Sequence, residues 1–388
     1  MKLRQLPEDF IVEEKNDIHL LDKGPYKLFI LEKKGMETFA LLSYLSKQNN
    51  IPIKELGIAG LKDKHAMTRQ YLTIPAKYEL NTKNEKNFSL KFKGFAANAL
   101  DTGDLFGNRF EITVRALRKG ELDRIYERAK TISTGVPNYF DSQRFGSVIN
   151  NEFIAKYLVK KQYDKAVKIF LTGCSKFESQ ILKQQKRLIS ENWKDLSKIE
   201  GRINTITLQK VIAEYLRTKD WLCAYKQIPA NLREMYVSAY QSYLWNECIK
   251  ELLKKRIDKS LLYHVPYNAG SLIFYRKISD NIIKNLPKSF KTISHDMAPN
   301  AFEREIIDLI LAREGLKLQD FDIKQKTGSF FKMHEREAFV TPIQFTISPP
   351  VVDELNHGRG SNNTFKVKVS FTLPKGSYAT VIIKKIFV

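Results

Sequence analysis

Phe365-Lys-Val-Lys-Val-Ser-Phe-Thr-Leu373 alternates without a break. Phe365, Val367, Val369, Phe371 and Leu373 fall on one side of an extended chain, and Lys366, Lys368, Ser370 and Thr372 fall on the other, the period-2 signature of a half-buried strand. Such a strand needs partners. Nearby candidates are Ala338–Ile347 and, after a turn at Pro374-Lys-Gly-Ser377, an expected last strand over Tyr378–Val388. The rest of the β-character lies at the other end of the chain. Pro7–Glu14 opens a first strand with Phe10 and Val12 on one face, Tyr26–Leu31 reads as a second, and strand-like runs recur at 86–95 and 109–114. Thr38 is expected to N-cap a helix that buries Leu41, Leu42 and Leu45 and ends near Asn49-Asn50 and Pro52. From Asn151 to about Ala312 the chain becomes largely helical, with a long amphipathic stretch from Met235 to Leu253. The C-terminal strands therefore complete a sheet begun at the N-terminus. The expected fold is α+β, with a discontinuous sheet domain at 1–150 and 333–388 and an inserted helix-rich module at 151–332.

The charge balance concerns partners rather than fold. Of 388 residues, 65 are Lys or Arg and 43 are Asp or Glu, a formal net charge of +22. Nucleic acid is the leading partner, since Lys and Arg contacts to phosphate supply most sequence-independent affinity. No apolar run reaches the roughly 18 residues of a membrane span, and Met1–Phe10 lacks the apolar core of a signal peptide, so a cytoplasmic protein is expected. Cys174, Cys223 and Cys248 are far apart and the six His residues are scattered, which suggests neither a disulfide framework nor a metal site. After Glu354 the chain has no acidic residue. Arg359, Lys366, Lys368, Lys375, Lys384 and Lys385 are therefore expected to face phosphate.

The stretch Leu56-Gly-Ile-Ala-Gly-Leu-Lys-Asp-Lys-His-Ala-Met-Thr-Arg-Gln-Tyr-Leu-Thr-Ile-Pro75 packs Lys62, Asp63, Lys64, His65 and Arg69 between an apolar, Gly-containing run and a β-branched one. Gly57 and Gly60 suit a turn or a close backbone approach, so the charged segment reads as a loop or strand edge held on rigid structure. Asp63 is its only carboxylate, and the surrounding cations favour an ionised group available as nucleophile or base. A solvated charged turn would look the same by spacing alone. The second dense stretch is Gly135-Val-Pro-Asn-Tyr-Phe-Asp-Ser-Gln-Arg-Phe-Gly146. An enzyme that modifies a base takes it out of its stack and holds it by stacking and by hydrogen bonds to its edge. Asn138 offers a donor and an acceptor that match a uracil edge, Phe140 a stacking face, and Arg144 a phosphate or carboxylate partner. The plainer alternative is a connecting loop whose aromatics are core.

Gly60-Leu-Lys-Asp-Lys-His-Ala-Met-Thr-Arg-Gln70 resembles the central G-x-K-D-x-x-A-x-T-x-Q motif of the TruD family of pseudouridine synthases, whose aspartate is catalytic and lands here on Asp63. The second stretch is similar to that family's N-Y-F-G-x-Q-R-F-G signature, with Asp141 where glycine is common. Three further matches follow the family's order: Pro7-Glu-Asp-Phe10, preceded by Arg4 where lysine is usual; Ser238-Ala239, Ser242 and Asn246 in S-A-x-x-S-x-x-x-N; and Phe371-Thr-Leu-Pro-Lys-Gly-Ser-Tyr-Ala-Thr380 in F-x-L-P-x-G-S-Y-A-T. The resemblance spans the whole chain. It implies a mixed-sheet catalytic domain, discontinuous in sequence, with a smaller helix-rich α+β TRUD domain inserted. It also implies isomerisation of uridine to pseudouridine in tRNA, at position 13 in bacterial members. Asp63 would act as nucleophile or base. Phe10, Asn138, Phe140 and Phe371 would form the base pocket, while Lys62, Arg144 and Arg4 would bind phosphate or steer Asp63. No cofactor is required, because the reaction is neither redox nor energy-coupled, and a monomer is expected. Two rivals belong to other classes: a metal-dependent nuclease, which would need clustered carboxylates around Asp63, and a non-enzymatic RNA-binding protein. A methyltransferase lacks its glycine-rich loop after a strand.

Overall fold

The alternating stretch is a strand, Phe365–Pro374, and Val367, Val369, Phe371 and Leu373 are all buried. The structure, a computed structural model, describes residues 1–81, 85–175, 178–356 and 363–388; Arg359 lies outside them. Contacts divide the chain into two units, Met1–Gly135 with Val340–Val388, and Val136–Phe339.

The first unit is built on one sheet of eight strands among the described residues. Its order is Ile343–Ile347, Phe365–Pro374, β5 (Gly107–Leu117), β1 (Phe10–Lys15), β3 (Met67–Pro75), β2 (Tyr26–Lys34) and β4 (Phe88–Ala96), with Val351–Val352 also on Phe365–Pro374. The β1–β3 pair is parallel and its neighbours are antiparallel, which makes the sheet mixed. Directly opposed residues share a face. One row therefore runs Lys33, Thr68, Val12, Phe110 and Phe371 across five strands. Helix α1 (Thr38–Asn49) lays Leu41, Leu42 and Leu45 against Phe29, Leu31, Leu72, Ile74 and Leu90 of β2, β3 and β4. Its N-cap is Glu37, not Thr38: the Glu37 carboxylate accepts from the Phe39 and Ala40 amides. Glu37 has the β-region backbone a cap needs, which leaves the Thr38 hydroxyl for another partner. The chain leading towards Asp63 is pressed onto β3 at Gly57, where a Cβ would come within 2.4 Å of Thr73 Oγ1 and 2.7 Å of the Leu100 carbonyl.

The expected last strand is a helix, Ala379–Phe387. Val381, Ile382, Ile383 and Ile386 are β-branched, yet Ala379, Ile382, Ile383 and Ile386 recur at helical spacing and all four are buried. Burial of that stripe overrides the local strand preference. Lys385 is also fully buried on this helix, so it cannot face phosphate as its position after Glu354 suggested. Lys366 is paired with Glu354 at 2.6 Å.

The second unit is the longer of the two and largely helical, with one small hairpin, Leu262–Tyr267 against Gly270–Tyr275. The helix Ala230–Arg256 runs through it and buries Tyr240, Leu244, Trp245 and Asn246. This unit begins at Val136, earlier than the compositional shift near 150. The 136–146 segment has no helical period, but Tyr139 is fully buried there and its hydroxyl donates to the Ile273 carbonyl at 2.8 Å.

Candidate active site

Asp63 precedes β3 in a loop where the Lys62 side chain is buried, Lys64 and His65 are exposed, and Arg69, on β3, pairs with Glu32. Its carboxylate is partly exposed and engaged at both oxygens. Oδ1 accepts from the His65 amide at 2.9 Å, an Asx-type turn that the sequence Asp-Lys-His permits, and Oδ2 takes the Arg4 guanidinium at 2.8 Å. Arg4 also lies over the Phe10 ring, 4.2 Å from its centroid. It adopts φ = 55°, a left-handed conformation uncommon for a non-glycine residue, and its Nε is buried without a hydrogen-bond partner among the described residues. Strain of this kind persists where surrounding structure fixes it.

Phe10 is placed by the Pro7–Asp9 turn. Pro7 opens a short 3-10 helix, and the buried Asp9 carboxylate accepts from the Leu6 amide and from Arg115 Nε, both near 2.9 Å. Phe10, Phe110 and Phe371 then form a chain of aromatic contacts, with centroids 6.2 and 5.7 Å apart. Phe371 also stacks with Phe345 at 6.2 Å. The rings of Phe10 and Phe371 are nearly fully buried, so they form an apolar floor rather than an exposed stacking platform.

Lys62 turns away from solvent. Its ammonium is ion-paired with Glu14, and both side chains are buried. The second Glu14 oxygen has no hydrogen-bond partner among the described residues, nor have Thr68 Oγ1 and Gln70 Oε1. Two residues that the sequence did not place at the site, Thr38 and Lys33, complete the support. The Thr38 hydroxyl bonds the Lys62 amide at 3.1 Å and the Lys62 carbonyl at 3.2 Å. The buried Lys33 ammonium donates to the carbonyls of Met36 and Asp63 at 2.7 and 2.9 Å, with Lys62 at 3.4 Å. Burial pushes Lys33 down to about 8, against the opposing pull of the Asp63 and Glu37 carboxylates.

Asn138, Phe140 and Arg144 belong to the second unit and form their own cluster there. The Asn138 amide is engaged at both ends: Nδ2 donates to the Glu337 carbonyl at 3.1 Å, and Oδ1 accepts from Arg336 at 3.0 Å. The Phe140 main chain is gripped by Asn246, whose amide accepts from Phe140 N and donates to Phe140 O, both at 2.9 Å. Arg336 lies over the Phe140 ring at 4.1 Å and Arg144 at 5.5 Å, while Trp245 meets it edge-on. Arg144 also donates to Ser238 Oγ at 3.3 Å. The 238, 242, 246 spacing thus sets Ser238 and Asn246 on the helix face turned to this loop. Asp141 has φ = −111°, ordinary extended backbone, so the departure from glycine is accommodated without strain. Arg336 carried no signal in the sequence, because it reaches Asn138 from 198 residues away.

Among the described residues no three His, Cys, Asp or Glu side chains gather as a metal site would need. None of the described helices is long and apolar enough to cross a membrane.

A family model described as tRNA pseudouridine synthase D (TruD) matches residues 1–386. The "probable tRNA pseudouridine synthase D 2" of Methanocaldococcus jannaschii is 42% identical over 100% of this chain and 92% of its own length. The tRNA pseudouridine synthase D of Aquifex aeolicus is 31% identical over 100% and 98%. The crystal structure of a candidate TruD protein from Methanosarcina mazei has the same fold, with a TM-score of 0.74 at 24% identity, covering 99% of this chain and 93% of that one.

Proposed function

The chain belongs to the TruD family of tRNA pseudouridine synthases, isomerases that act on tRNA, and from that premise we propose that Asp63 carries the reaction on a flipped-out uridine, at position 13 of its tRNA substrates. The observation that supports this most is the Asp63 carboxylate, partly exposed, held by the His65 amide and by Arg4, with Phe10 beneath Arg4. In the isomerisation the C1′–N1 bond breaks, the uracil turns, C5 bonds to C1′, and the C5 proton is lost as N1 gains one. Nothing is oxidised or reduced, so the balance needs no cofactor. A fixed carboxylate can serve in two ways: it attacks C1′ to give an ester, or it removes the C2′ proton to give a glycal. Deuterium at C2′ separates them, because only proton removal gives a primary isotope effect.

Within this reading, Phe10 and Phe371 support the base from below as part of the apolar floor. Arg4 orients Asp63, and Lys62 acts on it through the buried pair with Glu14. Asn138 and Phe140 are assigned to the base, and Arg144 to phosphate, on the family motif; the two bonds that Asn138 already makes give it a fixed orientation. We place the enzyme in the cytoplasm as a monomer acting on tRNA. The test is pseudouridine mapped to single nucleotides in tRNA from cells lacking the enzyme, after incubation with wild type and with Asp63→Asn. Signal at position 13 with wild type and a loss on the order of 10³-fold or more in the variant are expected. Equal signal from both proteins would remove Asp63 from the mechanism.

A further inference from the structure

We propose that Lys33 is a positioning residue of the isomerisation: its buried ammonium clamps the main chain at residues 62 and 63, and so holds the Asp63 carboxylate in its working position. The inference rests on the assignment of Asp63 as the reacting group. Lys33 lies in Glu32-Lys-Lys34 at the end of β2, a place where a lysine ordinarily reaches into water. It is instead 1% exposed. An ammonium is strongly hydrated, and burial is costly unless its three donors all find acceptors. Here they do: one carbonyl comes from Met36, just before α1, and two from Lys62 and Asp63 in the loop. One charge therefore ties the strand end, the helix lead-in and the Asp63 loop together. Thr38 brackets Lys62 from the same side.

The charged groups around Lys33 are few and identifiable. Asp63 and Lys62 face it from the loop and Glu37 from the lead-in to α1; two of these act as counter-charges and Lys62 opposes. Behind them, Asp63 is paired with Arg4 and Lys62 with Glu14 of β1. Its cross-strand partners, Thr68 on β3 and Phe88 on β4, carry no charge. When the ammonium loses its proton, one donor and the charge disappear together, and the three carbonyls lose part of their common partner. Burial sets that loss near pH 8. The linkage has the opposite sign for stability. The unfolded chain keeps Lys33 protonated to a higher pH than the folded one, so between the two values the unfolded state binds more protons and stability from this group rises with pH. Catalysis that depends on the clamp must fall over the same window.

The experiment compares wild type, Lys33→Met and Lys33→Arg in pseudouridine formation on tRNA from pH 6.5 to 9.5, with urea unfolding at each pH. Lys33→Met is expected to lose about 100-fold in kcat with KM nearly unchanged, the scale of a small misplacement of a reacting group. Wild-type kcat is expected to decline above pH 8 while its urea midpoint does not. Lys33→Arg, which stays charged, is expected to keep its rate through that range. Wild-type kcat in Lys33→Met, or an unchanged alkaline decline in Lys33→Arg, would overturn the proposal. Amide hydrogen exchange supplies a readout independent of turnover: residues 62–66 should exchange faster in Lys33→Met, with β3 unaffected. Unchanged exchange there would overturn the clamp even if Asp63→Asn proved active, whereas that activity by itself would overturn only the assignment of Asp63.

Discussion

The Asp63 loop in one unit and the 138–140 loop in the other carry the two densest motifs, and they are held by opposite means. Around Asp63 the anchors are charges: Arg4 on the carboxylate, Lys33 on the carbonyls, and the buried Lys62–Glu14 pair. Around Phe140 the anchors are mostly neutral amides, with Asn246 bonding both main-chain groups and Asn138 bonding the Glu337 carbonyl. Arg336 and Arg144 add charge over the ring face, and Arg336 also donates to Asn138 Oδ1 at 3.0 Å. Neutral bonds give fixed geometry that is indifferent to pH. Buried charges give equally firm geometry, but their strength depends on protonation and on every partner remaining in place.

The largest expected effect follows from breaking a buried pair in the charged loop. Glu14→Ala leaves the Lys62 ammonium buried without its partner, which costs on the order of 3–5 kcal/mol. Urea unfolding of Glu14→Ala, Lys62→Met and the double variant measures it. The double variant should be clearly more stable than Glu14→Ala; a double variant no better than the single would mean that the pair is solvated in practice. In the neutral loop, Asn246→Ala removes both hydrogen bonds to the Phe140 main chain, and a loss of about 2–3 kcal/mol is expected. That loss should be the same at pH 6.5 and pH 9, whereas a marked pH dependence would erase the contrast between the loops. A smaller effect is expected at Arg4. Arg4→Met should lower kcat about tenfold by freeing Oδ2 of Asp63, and Arg4→Lys should recover most of it, because a compact ammonium can still reach a carboxylate even though it cannot cover the Phe10 face. Equal losses in the two variants would assign the role to the stacked fork rather than to the charge.

The parts of this arrangement that were legible in the sequence are those with a period or a motif. The strand Phe365–Pro374 announced itself by alternation, and the Asp63 and Asn138–Phe140 stretches by their density of functional groups. Lys33 and Glu14 were not legible, because each sits in a short charged run, Glu32-Lys-Lys34 or Glu13-Glu-Lys15, that reads as a solvated strand end. Alternation from Phe10 and Val12 sets Glu14 on the buried face of β1, and from Phe29 and Leu31 sets Lys33 on that of β2, but no local pattern shows that either charge meets a buried partner there. Thr38 misled for a related reason: a good capping residue next to another acceptor, it was displaced by Glu37 and used its hydroxyl on Lys62. Arg336 depends on contact between distant segments, which no local pattern encodes.

On the terminal helix, Lys385 is another buried lysine, one with no part in the proposed reaction. Burial, helped by the nearby Arg128 guanidinium, pushes its ammonium down to about 7, well below the ordinary lysine range. In the unfolded chain it titrates normally. Between those two values the unfolded state binds the extra proton, so stability must rise as pH passes upward through 7, and the full cost of burying the charge remains below it. From pH 6.5 to 8 the gain from this one group is about 1 kcal/mol. Lys385→Met should be more stable than wild type at pH 6.5 and should lose most of that slope, while pseudouridine formation at pH 7.5 stays close to wild type. Lys33 and Lys385 are then told apart by function: removing the charge at 385 relieves a burden on the fold, and removing it at 33 releases the loop that presents Asp63.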